Sequence, residues 1–253
     1  MISVCLLTYN GEKYVKTQLL SILEQLSKDD EVIVSDDNSF DNTLEIIKQL
    51  NDSRIKVFHN HISHNSYSGT FARVYRISRN CENALKYAMG DYVFLSDQDD
   101  IWYHDKIKVM LAYLKNANLV IHNCSIIDAN GVIIGDDYFH GEIPQANLWQ
   151  LLVKSPFMGC CMGFTKQLKD SLLPFPHDLI EHDAWIGIRA LLSSQNPKFI
   201  TNCLVYYRRH GNNASYCGEK SSNPISVKIK RRLIILQVYI NELVRGLLHL
   251  NFR

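Results

Sequence analysis

The 253-residue chain lacks the glycine-rich fingerprints that many phosphate-handling folds display. It contains no Gly-x-x-x-x-Gly-Lys-Ser/Thr and no Gly-x-Gly-x-x-Gly, which weakens both a P-loop hydrolase and a dinucleotide oxidoreductase. A Gly-x-Ser-x-Gly elbow is also missing, and with it the usual setting of a Ser-His-Asp hydrolase. The seven cysteines are an odd set without Cys-x-x-Cys spacing, which disfavours a disulfide framework or a zinc ribbon and suits a reducing compartment. No secretory leader is visible, since residues 2–7 are a short apolar run followed at once by Thr8-Tyr9-Asn10-Gly11; a cytoplasmic location is expected. The last apolar stretch is broken by Asn241, Glu242 and Arg245 and falls short of the roughly 20 apolar residues a spanning helix needs. Nor is one sign of charge in excess: the formal net charge is +1, so no global field attracts nucleic acid, and none is expected as a partner.

What the chain does have is a strand that ends in acid. Tyr92-Val93-Phe94-Leu95-Ser96 has the composition of a buried central strand and runs into Asp97-Gln98-Asp99-Asp100-Ile101-Trp102. Gathering like charges at a buried strand end is costly unless a cation or hydrogen-bond donors compensate them. A carboxylate-lined metal site at the C-terminal edge of a sheet answers that cost, and an acidic turn capping the next helix is the other reading.

Taken in order, residues 2–7 read as a first strand, and Val15, Leu19, Ile22, Leu23 and Leu26 as a helix. Residues 31–35 form a second strand, again ending in acids, Asp36-Asp37-Asn38-Ser39. Asn42 with Glu45 has the spacing of a capping box ahead of a second helix. A third strand at 54–58, a polar loop holding His59, His61 and His64, and a helix over 81–88 lead to the acidic strand. This alternation to about residue 115 is the pattern of a parallel α/β sheet with helices on both faces. Later strands are expected at 119–122, 132–134 and 199–207, with a helix starting near Glu181-His182-Asp183-Ala184-Trp185.

Two strands thus deliver acids to one edge, Asp36 and Asp37 from the second, Asp97 and Asp99 from the fourth. An Asp-x-Asp pair offers hard oxygen ligands that suit Mg²⁺ or Mn²⁺ and leave room for phosphate.

In order and spacing these motifs, Thr8-Tyr9-Asn10, Val34-Ser35-Asp36-Asp37-Asn38-Ser39 and Gly90-Asp91-Tyr92 through Trp102, resemble the family 2 inverting glycosyltransferases. The resemblance is strong over residues 1–115 and weaker to about 213, and the Asp-Gln-Asp-Asp-x-Trp run is similar to bacterial O-antigen and capsule rhamnosyl- and glucosyltransferases. It implies a GT-A fold over 1–224, with a nucleotide-binding half to about 115 and an acceptor half over 116–224. It implies a nucleotide-sugar donor site of Thr8, Tyr9, Asn10, Glu12, Asp36, Asp37, Arg79 and Asp97. Asp99 and His210 would hold Mn²⁺ or Mg²⁺, and Asp183 would be the catalytic base. Trp102, His182 and Trp185 fall on the acceptor side, where either tryptophan could stack on a sugar or pack in the core. The acceptor so implied is a lipid-diphosphate-linked saccharide at the inner face of the bacterial plasma membrane. One departure is a segment of extra residues over 62–78, including Tyr67, Gly69, Phe71 and Tyr75, suited to a lid or an acceptor-binding elaboration. A nucleotidyltransferase or a non-catalytic nucleotide- or glycan-binding protein could use a similar scaffold; the first would want a glycine-rich, basic first turn, which Leu7-Thr8-Tyr9-Asn10-Gly11 is not.

Residues 225–253 differ in kind. Ile229, Leu233, Leu236, Ile240, Leu243, Leu247 and Leu250 recur in alternating steps of four and three, with Lys228, Lys230, Arg231 and Arg232 clustered at the start. This basic amphipathic helix is compatible with packing on its own domain, with homo-oligomerisation, and with lying on an anionic membrane.

Overall fold

The computed structural model describes residues 1–61, 71–153, 155–179, 181–194, 197–211, 213 and 223–250. Its first half alternates as the periodicity requires: β1 (Ile2–Thr8), α1 (Val15–Leu23), β2 (Glu31–Asp36), α2 (Thr43–Gln49), β3 (Ile55–His59), α3 (Ala72–Tyr87) and β4 (Tyr92–Asp97). A short β5 (Ile101–Trp102) and α4 (Lys106–Leu114) follow, then β6 (Leu119–Ile127), β7 (Ile133–Gly135) and α5 (Leu148–Val153). The chain continues through β8 (Met162–Thr165), α6 (Lys166–Leu172), α7 (His182–Leu191), β9 (Lys198–Arg208) and α8 (Ile225–Leu250).

The strands form one sheet in the order β3-β2-β1-β4-β8-β6-β9-β5, with β7 paired to β6. The block β3-β2-β1-β4 is parallel throughout. The chain moves outward from β1 to β3 and returns to lay β4 on the other side of β1. That reversal leaves a crevice outside the carboxyl ends of β1 and β4, where open α/β sheets bind ligands. Beyond β4 the pairing is mixed, with β8 antiparallel to both β4 and β6, β9 parallel to β6, and β5 antiparallel to β9.

The covalent link between β4 and β5 forces this sheet to curl. Asp97 ends β4 and Ile101 begins β5, yet three strands lie between them in the sheet order. A flat sheet would separate these strands by about 19 Å, whereas four Cα steps reach about 14 Å at most. The far strands therefore fold back over the ends of β1 and β4, which brings the end of β9 to the acidic turn.

β1 and β2 are buried along their whole length, as unbroken apolar runs between helical layers should be. α1 covers one face with Val15, Leu19, Ile22 and Leu23. On the other face, α3 begins well before the helix expected at 81–88. Its buried side is partly polar (Ser78, Arg79, Asn80 and Glu82), which hides it from hydrophobic periodicity. Residues 71–78 of the extra segment belong to the start of this helix, and 62–70, with His64, lie outside the described residues. The capping box at Asn42 does not form: Asp41 accepts the Thr43 N–H at 3.0 Å, and the Asn42 amide turns instead to Glu12.

Asn80 locks α3 to the sheet. Its Oδ1 accepts the Ser35 hydroxyl at 2.6 Å, and its Nδ2 donates to the carbonyls of Ser35 and Thr8 at the ends of β2 and β1. Replacing Asn80 with Ala would leave these buried groups unpaired, so Asn80→Ala should lower unfolding free energy by about 2 kcal/mol in urea titration.

Candidate active site

The strand register sets the donor side. Thr8 lies beside Asp36 across β1 and β2, and Leu7 beside Asp97 across β1 and β4, so the acids flank one strand end. Asp36 is buried and accepts hydrogen bonds from the Thr8 hydroxyl at 2.8 Å, the Ser39 N–H at 2.8 Å and the Ser39 hydroxyl at 2.6 Å. It braces the turn between β2 and α2. Asn10 takes a left-handed φ of 50°, donates its N–H to Ser39 Oγ and accepts the Phe40 N–H through its side chain. Asp37 accepts from Asn60 at 3.1 Å and pairs with Arg76 at 2.5 Å. The Arg76 guanidinium lies 4.9 Å from the centre of the half-exposed Tyr9 ring.

Gln98, the residue between the two aspartates, clamps this loop. Its Oε1 accepts the Tyr9 N–H at 2.8 Å and its Nε2 donates to the Tyr9 carbonyl at 2.9 Å. The β4–β5 turn is thereby tied to the β1 loop. A Cβ at Gly11 would collide with the same amide, so the glycine serves a close approach. Motif reading singled out the aspartates on either side and missed Gln98.

The structure sets four expected positions in other contacts. Arg79 is buried, pairs with Glu82 at 2.8 Å and donates to the carbonyls of Pro176 and His177. It braces α3 against the chain before α7, and Arg76, three residues earlier on the same helix, is the arginine that pairs with Asp37. Glu12 directs its carboxylate to the N–H and side chain of Asn42 at the head of α2. Trp102 is 3% exposed, sandwiched between Phe94 and the Lys106 ammonium, and Trp185 is 2% exposed with its indole N–H on the Leu172 carbonyl. Neither ring has a face open to a sugar.

The fold-back of β9 completes the other side. His210 Nε2 and Asp99 Oδ2 are 2.8 Å apart, and the imidazole lies 5.3 Å from the Tyr14 ring. Arg208 donates its backbone N–H to Asp100 and its Nε to the Asp99 carbonyl, stapling β9 beneath the acidic turn. Asp100 therefore serves β9 and not only its own turn. Deeper in, ligating atoms of Asp97, Asp100 and Cys160 lie within 4.8 Å of one another, beside the buried Lys106. Burial, helped by neighbouring carboxylates, pushes the Asp97 carboxyl up to about 7 and raises Asp100 well above the ordinary carboxylate range, while burial brings Lys106 down to about 8. The hydrogen-bonded neighbour Cys161 and burial push the Cys160 thiol up, which keeps it protonated. Nearer the end of β9, the half-buried Asp99–His210 pair joins a hard oxygen to an imidazole nitrogen.

Asp183 stands in the first turn of α7, and its charge contributes to the rise at Asp97. Burial raises Asp183, and the Arg231 guanidinium from α8 draws it back down. Arg231 itself grips Glu181 through Nε and Nη2, and at the far end of α7 Arg189 pairs with Glu242 of α8 at 2.7 Å. These α8 contacts have no motif and could not be read from sequence. His182 donates its N–H to Ser78, faces Gly159 and leaves Nδ1 without a partner; burial holds it down at about 4, so the ring is neutral.

The model of glycosyl transferase family 2 matches residues 3–172 of this chain. The chain belongs to that family. Among curated relatives, the UDP-Glc:alpha-D-GlcNAc-diphosphoundecaprenol beta-1,3-glucosyltransferase WfgD of Escherichia coli is 30% identical over 80% of this chain and 74% of its own length. The dTDP-rhamnosyl transferase RfbG of Shigella flexneri is 39% identical over 46% of this chain, and the match spans 39% of RfbG. Among solved structures, S. aureus TarS 1-349 in complex with UDP-GlcNAc superposes with a TM-score of 0.65 at 23% identity, over 92% of this chain and 65% of that one. The family 2 chain thus has the expected GT-A fold and is a glycosyltransferase.

The two arginines are separable by experiment. Arg76→Ala should weaken donor binding in calorimetry with little change in melting temperature. Arg79→Ala, which takes the nearer of two cations from the buried Glu82 and leaves Lys86 at 3.5 Å, should cost about 3 kcal/mol of stability.

Proposed function

We propose that this family 2 enzyme is an inverting, metal-dependent hexosyltransferase. In this reading it moves a sugar from a nucleotide diphosphate donor, of the UDP-glucose or dTDP-rhamnose type, to a lipid-diphosphate-linked saccharide in bacterial surface polysaccharide synthesis. The observation that carries it is the placement of Asp37, Asp97 and the Asp99–His210 pair at the carboxyl edge where the parallel sheet reverses, and Asp183 in the first turn of α7 is read as the base. The names of WfgD and RfbG support both the donor types and the lipid-diphosphate acceptor.

The donor's base lies against the Tyr9 loop, with Asp37 accepting its imide N–H in exchange for one of its present partners. Asp97 accepts from the ribose or the sugar. Asp99 and His210 would hold Mn²⁺ or Mg²⁺, which supplies positive charge to a diphosphate leaving group. Asp183 takes the proton of the acceptor hydroxyl as its oxygen attacks the anomeric carbon opposite the diphosphate, the displacement that inverts configuration. Labour divides at about residue 115, with the donor held before it and the acceptor over 116–224.

The lipid of the acceptor puts the enzyme at the inner face of the membrane. Among the described residues no helix is long and apolar enough to cross it. The basic cluster at the start of α8 adds less attraction to anionic lipid than its sequence suggests, because Arg231 is neutralised by Glu181.

The test is a nucleotide-sugar panel with a lipid-diphosphate acceptor, run with EDTA and then with added manganese. Loss of transfer in EDTA and recovery with the metal are expected, as is loss of at least about 100-fold in Asp99→Ala and Asp183→Asn. Near-normal transfer by either variant removes its role.

A pH profile separates the base from a structural acid. Because burial raises Asp183 above the ordinary 3.8, the acid limb of kcat/KM should lie above the ordinary carboxylate range. Arg231→Met removes the cation that favours the ionised form, so the limb should move to higher pH. An unmoved limb would assign the proton transfer elsewhere.

A further inference from the structure

The apolar stripe of α8 does not face the domain on which the helix packs. The inward side carries Ile235, Val238 and Glu242, all buried, together with the Arg231 contact to Glu181. The stripe spaced in fours and threes points outward instead: Ile229 is 48% exposed, Leu233 60%, Ile240 50% and Leu243 39%, with Leu236 half-buried among them. The sequence carries the same spacing on through Leu247 and Leu250, making three heptads of aliphatic residues from Ile229.

We propose that this outward stripe is a coiled-coil seam and that its occupant is the same helix of a second copy of this chain. Two features of the helix select that occupant over a lipid surface. The first is the period. A strict seven-residue repeat drifts by about 20° per heptad around a straight helix, or about 60° over three heptads. A second helix follows that drift by supercoiling, whereas a flat bilayer cannot. The second is charge. Of the four basic residues at the head of α8, Arg231 is neutralised by Glu181 and Arg232 is turned onto the Leu152 carbonyl, so the cluster is smaller as a lipid-binding patch than its sequence suggests.

The residues flanking the seam are compatible with a twofold pair. In parallel register, the positions that meet across it are Ile225 with Lys230, Arg232 with Gln237, and Tyr239 with Val244, so no like charges oppose each other. The inward ion pairs to Glu181 and Arg189 stay in place, because they use the opposite side of the helix. Two catalytic domains would then be held by helices whose other faces brace α7.

Sedimentation velocity of the purified full chain over a concentration series tests this. The expected result is a reversible dimer for the wild type and the mass of one chain for Leu233→Glu/Ile240→Glu. Both positions are at least half exposed, so the double variant should keep the wild-type melting curve, which separates loss of pairing from loss of folding. A wild-type chain that stays monomeric throughout, or a dimer unaffected by the double substitution, overturns the proposal. So does a monomer that floats with phosphatidylglycerol vesicles through Leu233 and Ile240, an outcome that would assign the stripe to the membrane.

Discussion

Two parallel strands, β2 and β4, flank β1 in register and end on carboxylates, and the electrostatic cost of that arrangement governs what surrounds it. Each acid has a separate answer. Asp36 is neutralised by hydrogen-bond donors from its own turn and from Thr8. Asp37 has a guanidinium, Asp99 an imidazole, and Asp97 a raised proton affinity. Only where compensation is external or partial, at Asp37, Asp97 and Asp99, is a group left that can respond to a substrate. Where it is complete, the acid has become a structural brace.

The curl of the sheet is the mechanical counterpart of this electrostatics. A short covalent link between central β4 and edge β5 obliges the second half of the chain to return over the first. His210 arrives at Asp99 for that reason, though 111 residues separate them. The staple from Arg208 to Asp99 and Asp100 then fixes its approach.

Much of the framework was legible because it obeys local rules. Apolar runs before Asp36 and Asp97 mark parallel strands, and their common acidic endings mark one edge. What was hidden had physical causes. The buried side of α3 is partly polar, so periodicity misses its first turns and with them Arg76, the partner of Asp37. Trp102 and Trp185 are aromatic residues near motifs, and only packing shows that each is enclosed. Gln98 was concealed by its neighbours: the aspartates attract notice through charge, while the amide works by joining two backbones. The stripe on α8 was visible, but its outward orientation was not, because spacing alone does not say which side of a helix meets the domain.

The paired grip of α8 on α7 bears on how such enzymes can be recombined. Glu181 and Arg189 bracket the helix that carries Asp183, and both find their partners on α8. The family match ends at residue 172, before either helix. A chimera cut at that natural-looking boundary would import a foreign α7 without the counter-charges that seat it. The transplantable unit on the acceptor side is therefore α7 together with α8, an inheritance block that crosses the edge of the conserved family region.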